Sequence, residues 1–198
     1  MVAGEAIRVA GGADLEPVTE TLWLAFGEDP LWSWAFPDHS RLRPFWRFLI
    51  AAALVHRWVW VLGDYAAASV WIPPGCEELS PQQEVELEGL LEELAGARAP
   101  ELLELMRRFD ASHPRRPPHF YLSILGTHPD RRGHGLGMTL LADNLARVDS
   151  QRAAAYLESS NPANEPRYEE RSFERVGAFS TPDGAHTVGT MWRAPRSG

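Results

Sequence analysis

One stretch constrains the chain more than any other: Pro129-Asp130-Arg131-Arg132-Gly133-His134-Gly135-Leu136-Gly137. It follows the apolar run Phe120-Tyr121-Leu122-Ser123-Ile124-Leu125 and leads into Met138-Thr139-Leu140-Leu141-Ala142-Asp143-Asn144-Leu145, which has helical spacing. The order is therefore a strand, a glycine-rich turn and a helix. Alternate glycines leave successive backbone N–H groups uncovered, because no Cβ blocks a ligand's approach. The helix N-terminus adds partial positive charge, so the segment suits a phosphate or pyrophosphate. An ordinary glycine-rich turn is the bland alternative.

Two common phosphate loops fit poorly. A Walker loop requires a lysine, and this chain has none; all nineteen of its basic residues are arginine. A dinucleotide fingerprint places its third glycine, or an alanine, where Met138 stands. What fits is R-x-x-G-x-G over Arg132 to Gly137, with Pro129 ahead of it. A second segment runs from Tyr156 to Phe173. After the apolar strand Ala153 to Glu158 it carries Asn164 and Tyr168 four residues apart, a spacing that puts both side chains on one helix face.

Together these motifs resemble those of the GNAT superfamily of acyl-CoA-dependent N-acetyltransferases. The segments Ala25 to Pro30, Trp58 to Val61, Ala66 to Trp71, His119 to Gly137 and Tyr156 to Gly184 are similar, in order and spacing, to the puromycin N-acetyltransferase branch of that superfamily. One departure is visible: Ser172 stands before Phe173 where the family carries glycine, at a helix end that favours left-handed backbone.

The resemblance implies an α/β (α+β) GNAT fold: a mixed, mostly antiparallel sheet of six to seven strands flanked by helices. Strands 119–127 and 153–159 would run parallel and splay apart, with acetyl-CoA between them. The backbone of Leu125, Gly126 and Thr127 would pair with pantetheine, and the amides from Arg132 through Gly133, His134, Gly135, Leu136 and Gly137 to Met138 would hold the pyrophosphate. Asn164 would bond the pantetheine arm, and Tyr168 would protonate the leaving thiolate. An alkylamine is protonated at neutral pH, with a pKa of about 10, so something must take its proton; Glu158 is the candidate base. The implied protein is a single domain over 1–198, with 1–118 mainly on the acceptor side and 119–198 mainly on the acetyl-CoA side, acting as monomer or homodimer.

The acceptor pocket is expected from the first third, where Trp23, Trp32, Trp34 and Trp46 cluster. Trp32 and Trp34 read as loop residues beside Glu28 and Asp29, so aromatic walls and a carboxylate would meet a small-molecule amine. Trp23, Trp58 and Trp71 read as core. Other readings of the same residues are a CoA-binding sensor without catalysis, a nucleotide-binding α/β domain, and an acetyltransferase acting on a protein N-terminus.

Composition narrows the field. A hydrophobic share of 44% supports a packed core. The single cysteine, Cys76, rules out a disulfide within the chain and fits a cytoplasmic setting; in a Pro-Pro-Gly-Cys turn it reads as incidental. Met1 to Gly12 lacks the features of a leader peptide, and the longest apolar run, Phe48 to Val55, is too short to span a bilayer. A net charge of −8 without a basic cluster argues against nucleic acid. The seven histidines show no metal-ligand spacing, so no metal is expected; His128 and His134 should be exposed beside the loop. The Glu run from Glu84 to Glu93 reads as a solvated helix face.

Expected elements are strands at 7–10, 58–62, 67–72, 119–127, 153–159, 173–180 and 186–193. Expected helices lie at 14–26, capped by Asp14, and at 42–55, 80–95, 100–109, 135–149 and 163–171.

Overall fold

The structure, a computed structural model, describes residues 6–196. Of the segment Met1 to Gly12 read for a leader, residues 1–5 lie outside the described residues, as do 197 and 198. In chain order the strands are β1 Ile7–Val9, β2 Val59–Leu62, β3 Ala67–Ile72, β4 His119–Thr127, β5 Ala154–Ser159, β6 Glu174–Ser180 and β7 Thr187–Arg193. The α-helices are α1 Leu15–Ala25, α2 Pro30–Ala35, α3 Leu42–Ala53, α4 Pro81–Ala95, α5 Ala99–Ser112, α6 Leu136–Ser150 and α7 Glu165–Glu169. The strands form one seven-stranded sheet in the order β1-β2-β3-β4-β5-β7-β6. Among the described residues only the β4–β5 pair is parallel.

Two cores sandwich the sheet. One packs α1 to α5 against it through Val18, Leu22, Trp32, Phe45, Trp46 and Ile50 on the helices and Val59, Val61, Val70 and Ile124 on the strands. The other packs α6 against the opposite face through Leu140, Leu141, Leu145 and Val148, which meet Trp71, Phe120, Leu122 and Leu157. Each such fully buried side chain contributes about 1.5–3 kcal/mol.

β4 serves both cores because of one extra residue. Val70 of β3 pairs with Ile124, but Trp71 pairs with Leu122, so Ser123 is bulged out of the ladder. Before the bulge Phe120 and Leu122 face α6, and Tyr121 faces the other core. Beyond it the alternation reverses: Leu125 faces α6, and Ile124 faces α1.

Local chemistry explains the helix starts. Ser80 and Gln83 close a reciprocal capping box on α4, with Pro81 in its first turn. The exposed glutamates of α4 line its solvent side, as expected. Asp14 stands at the start of α1, yet its side chain does not cap the helix. It accepts from the Gly11 N–H at 2.7 Å, from the Arg8 guanidinium at 2.7 and 2.9 Å and from the Tyr65 hydroxyl at 2.6 Å. The expectation of a side-chain cap is corrected: an arginine and two further donors outcompete the helix amides.

Two further expectations change. Helix 163–171 is a 3₁₀ turn, Pro162–Asn164, followed by the five-residue α7. Ser172 then adopts φ +67, the left-handed geometry that the missing glycine would have supplied freely. Of the tryptophans expected in the core, Trp71 is fully buried, whereas Trp23 and Trp58 are half-buried against its margins. No described helix is long and apolar enough to cross a membrane.

Candidate active site

The β4–β5 ladder stops early. It runs from His119↔Ala154 to Leu122↔Leu157, whereas β4 continues to Thr127 and β5 to Ser159. Past Leu122 the two strands have separated. Among the described residues the β5-facing backbone edge of 123–127, which includes Leu125, Gly126 and Thr127, has no strand partner there, so its N–H and C=O groups are open to pair with an extended ligand.

The glycine loop lies at the far end of β4. His128 donates its backbone N–H to the Ala66 carbonyl at 2.9 Å and is partly buried, in contrast to the exposed position expected of it; His134 is exposed. Gly133 and Gly135 take φ +81 and +70, and a Cβ on either would meet nothing within 4 Å. The loop is therefore open, left-handed backbone directly before α6, with Leu136 opening the helix and Met138 in its first turn. Gly137 is needed for a different reason: a Cβ there would lie 2.7 Å from Thr127 Oγ1, so the glycine lets α6 close onto the end of β4. Arg132 turns its guanidinium toward α1, donating to the Ala25 carbonyl at 2.8 Å and to Glu28 at 3.1 Å. Glu28 is thus an exposed partner of the loop arginine, its side chain 87% accessible.

At the other end stands Glu158. Its side chain is 2% exposed, and neither carboxylate oxygen has a hydrogen-bond partner among the described residues. A buried, unpartnered carboxylate is costly and seldom kept without a role. It shares a face of β5 with Tyr156, and around it gather residues from distant segments. His113, just after α5, brings Nδ1 to 3.7 Å from Glu158 Oε1. Tyr121 of β4 lies 6.0 Å from Tyr156, ring centre to ring centre. Glu78, in the loop after β3, accepts the Ser123 hydroxyl. Burial, and then the charge of Glu158, pushes the Tyr121 and Tyr156 phenols up, so both stay protonated. Burial likewise raises Glu78, and the neighbouring Glu158 adds to the rise.

Tyr168 reaches the region from the opposite side of the sheet, packed against the α6 core and edge-on to Phe173 at 6.2 Å. Burial, and then the Asp29 charge, pushes its phenol up to about 12. Asn164 opens α7, and its Oδ1 accepts from Arg167 at 3.0 Å.

Asp29 joins the two halves of the chain. One oxygen caps α2 through the Leu31 and Trp32 amides, and the other accepts the Ser160 hydroxyl at 2.7 Å, just past the end of β5. Burial raises this carboxyl, against the lowering effect of those hydrogen bonds. Trp32 and Trp34 lie on α2, so the loop reading of this segment is corrected: Asp29 and Pro30 start a helix here as well as ending α1. Trp32 is buried between Phe45, Trp46 and Phe109. Trp34 is half-buried, donates to Asp183 at 2.8 Å and lies under the Arg98 guanidinium. A hollow of about 430 Å³ opens beside the cluster, lined by Tyr156, Thr190, Trp192, Ala178 and Pro117 among others.

The sequence pointed to Glu158 but not to its surroundings. Glu78 comes from the loop after β3, His113 from the end of α5, and His119 and Tyr121 from β4, and no spacing links these segments to Glu158 and Tyr156 on β5. Among the described residues no cluster of His, Cys, Asp and Glu could hold a metal ion, and Cys76 is free and exposed.

No family model matches the chain. Solved structures match over nearly its whole length. A protein described as histone acetyltransferase HPA2 and related acetyltransferase, from Corynebacterium glutamicum, is 21% identical, covers 98% of both chains and superposes with a TM-score of 0.69. Arylalkylamine N-acetyltransferase 2 from Aedes aegypti is 13% identical over 96% of this chain and 98% of its own, with a TM-score of 0.62. A polyamine N-acetyltransferase from Drosophila melanogaster, which forms N-acetylagmatine, is 17% identical over 96% and 99%, with a TM-score of 0.60. The architecture is that of the GNAT acetyltransferases, seven strands with flanking helices.

Proposed function

We propose that this chain is an N-acetyltransferase that moves the acetyl group of acetyl-CoA to a primary amine of a small molecule, by direct attack in a ternary complex. The observation that carries the reading is a parted strand pair with an open glycine loop at one end and a buried, unpartnered carboxylate at the other. The fold neighbours, which include enzymes named for polyamines and arylalkylamines, support the same reaction class.

The residues present fit the cosubstrate. Loop amides from Arg132 to Met138, at the N-terminus of a fifteen-residue helix, would hold the pyrophosphate. The free edge of Leu125, Gly126 and Thr127, with Asn164, would hold the pantetheine arm. Bound there, acetyl-CoA supplies an activated thioester carbonyl. Glu158 accepts the proton of the attacking amine. Tyr168, its phenol pushed up to about 12 by burial, delivers a proton to the departing sulfur. A backbone N–H of β4 near Leu125 polarises the carbonyl. Asp29 and Trp34 belong to the acceptor side, with Trp32 packed in the core behind them, while Glu28 pairs with Arg132 of the loop. The chain acts as a single unit, cytoplasmic, as monomer or homodimer.

Calorimetry with acetyl-CoA, against NAD and ATP as controls, tests the cosubstrate. Micromolar binding of acetyl-CoA alone is expected; a preference for NAD or ATP overturns the reading. Release of CoA thiol with a panel of amines then tests the reaction. Agmatine, an arylalkylamine and puromycin belong in the panel, the last because of the sequence resemblance.

A further inference from the structure

Two histidines beside Glu158 are unexplained by the mechanism above. His119 Nδ1 lies 2.8 Å from the Pro117 carbonyl, and its Nε2 lies 3.1 Å from His113 Nε2. A carbonyl can only accept, so His119 carries its proton on Nδ1, and its Nε2 is a lone pair. His113 must then donate through Nε2–H, which leaves its Nδ1 lone pair facing Glu158 Oε1 at 3.7 Å. With both rings neutral, the order Glu158, His113, His119, Pro117 carbonyl thus has one consistent set of proton positions. Nothing else in the pair is free to choose a tautomer.

Packing holds both rings. His113 lies edge-on to Tyr121 at 4.7 Å and to Tyr156 at 4.9 Å, while His119 is held by Tyr156 and Trp192. His119 is buried, and that burial lowers its affinity for a proton, so it stays the neutral acceptor. The His113 side chain is 25% exposed and can exchange a proton with water.

We infer that His113 takes from Glu158 the proton removed from the amine and passes it to solvent, with His119 fixing the ring in the receiving tautomer. The inference rests on the reading of Glu158 as the base. The steps balance. The amine N–H bond breaks as Glu158 O–H forms; that bond breaks as His113 Nδ1–H forms; the proton then leaves to water and the carboxylate is restored. The imidazolium formed between would donate to Glu158 through Nδ1 and to His119 through Nε2, so both of its N–H groups have acceptors. The 3.7 Å gap is loose for a hydrogen bond, and a proton on either group draws the pair together. Both residues are positioning groups that act through Glu158.

Two measurements test this. The first needs no acceptor: long-range proton–nitrogen NMR correlations of the imidazoles in the intact protein. Expected are Nδ1–H for neutral His119 and Nε2–H for neutral His113, with the His113 preference lost in His119→Asn. Asparagine there still donates toward Pro117 but offers His113 no ring nitrogen. The opposite tautomers, or no response in His119→Asn, overturn the inference.

The second is turnover with an amine the enzyme accepts. The titratable groups facing His113 are Glu158 and Tyr156 on β5, His119 and Tyr121 on β4, and Glu78 in the loop after β3. His113→Ala should lower kcat about 10- to 100-fold with the KM for acetyl-CoA unchanged. The loss should shrink as pH rises and be partly restored by added imidazole, neither of which a packing defect would do. Should His113→Ala fold poorly, His113→Gln, which keeps a donor in place of Nε2–H but cannot carry the proton, should show the same loss. A variant with a normal pH profile and no response to imidazole, alongside an inactive Glu158→Gln, overturns this inference alone. Full turnover by Glu158→Gln overturns the base reading and this inference with it.

Discussion

The glycine loop and the Glu158 cluster would manage charge by opposite means. The loop presents backbone amides on open, left-handed turns, and Arg132 beside it points elsewhere, toward Ala25 and Glu28. The cluster is all side chain: a carboxylate at the end of β5, phenols on β4 and β5, an imidazole after α5 and a second carboxylate after β3. A backbone site tolerates any side chain that leaves φ and the approach alone. A side-chain site fails when one group is exchanged. Substitutions in the two regions should therefore separate binding from turnover.

The largest effect is expected at the cluster. Glu158→Gln keeps shape and removes basicity, and should cut kcat about 10²- to 10³-fold with acetyl-CoA affinity within about twofold of the parent. A matching loss of affinity in calorimetry would erase the contrast between the regions. Next is Tyr168→Phe, with an expected fall of about tenfold or more in kcat and unchanged CoA binding. Because its phenol titrates only near 12, no falling limb from Tyr168 should appear in a rate profile below about pH 10. A limb near neutrality that vanishes in the phenylalanine variant would show that this hydroxyl ionises far earlier.

The loop should respond in the other sense. Gly135→Ala has room for its methyl but forces an alanine to φ +70, at a cost of about 1–2 kcal/mol. Affinity for acetyl-CoA should drop about tenfold, while kcat at saturation holds; a kcat defect with intact binding would sink the division of labour. The smallest effect is at Ser172, held at φ +67. Ser172→Gly should raise stability by about 1 kcal/mol in thermal unfolding, with activity untouched.

These regions also differ in how much of them the sequence revealed. The loop is contiguous, so strand, turn and helix could be read in order, and β4 falls at 119–127 as expected. The same holds for α4, whose cap and proline sit side by side. What escaped was decided by competition or by distance. Asp14 was read as a cap, but Arg8 and Tyr65 claim its oxygens. The sequence places Asp29 beside a loop, yet it starts α2, because its carboxylate has both amides to cap and Ser160 to hold. His113 and His119 are six apart on either side of a proline-rich connector, a spacing with no meaning until α5 and β4 are packed. Glu158 could be named in advance, but the imidazole and phenols around it are brought there only by packing.

Ser123 has a consequence for how the sheet can change. By adding one residue it switches the parity of β4, so the odd positions that look one way before it look the other way after it. Were Ser123 instead drawn into a regular ladder opposite Val70, Leu125 would be turned toward α1, into the bare spot that Gly126 now offers. That spot has no room: even a single Cβ on Gly126 would come within 2.8 Å of Ala25 and 2.9 Å of Leu22. The bulge and the glycine are thus a matched pair, and neither can drift in sequence without the other.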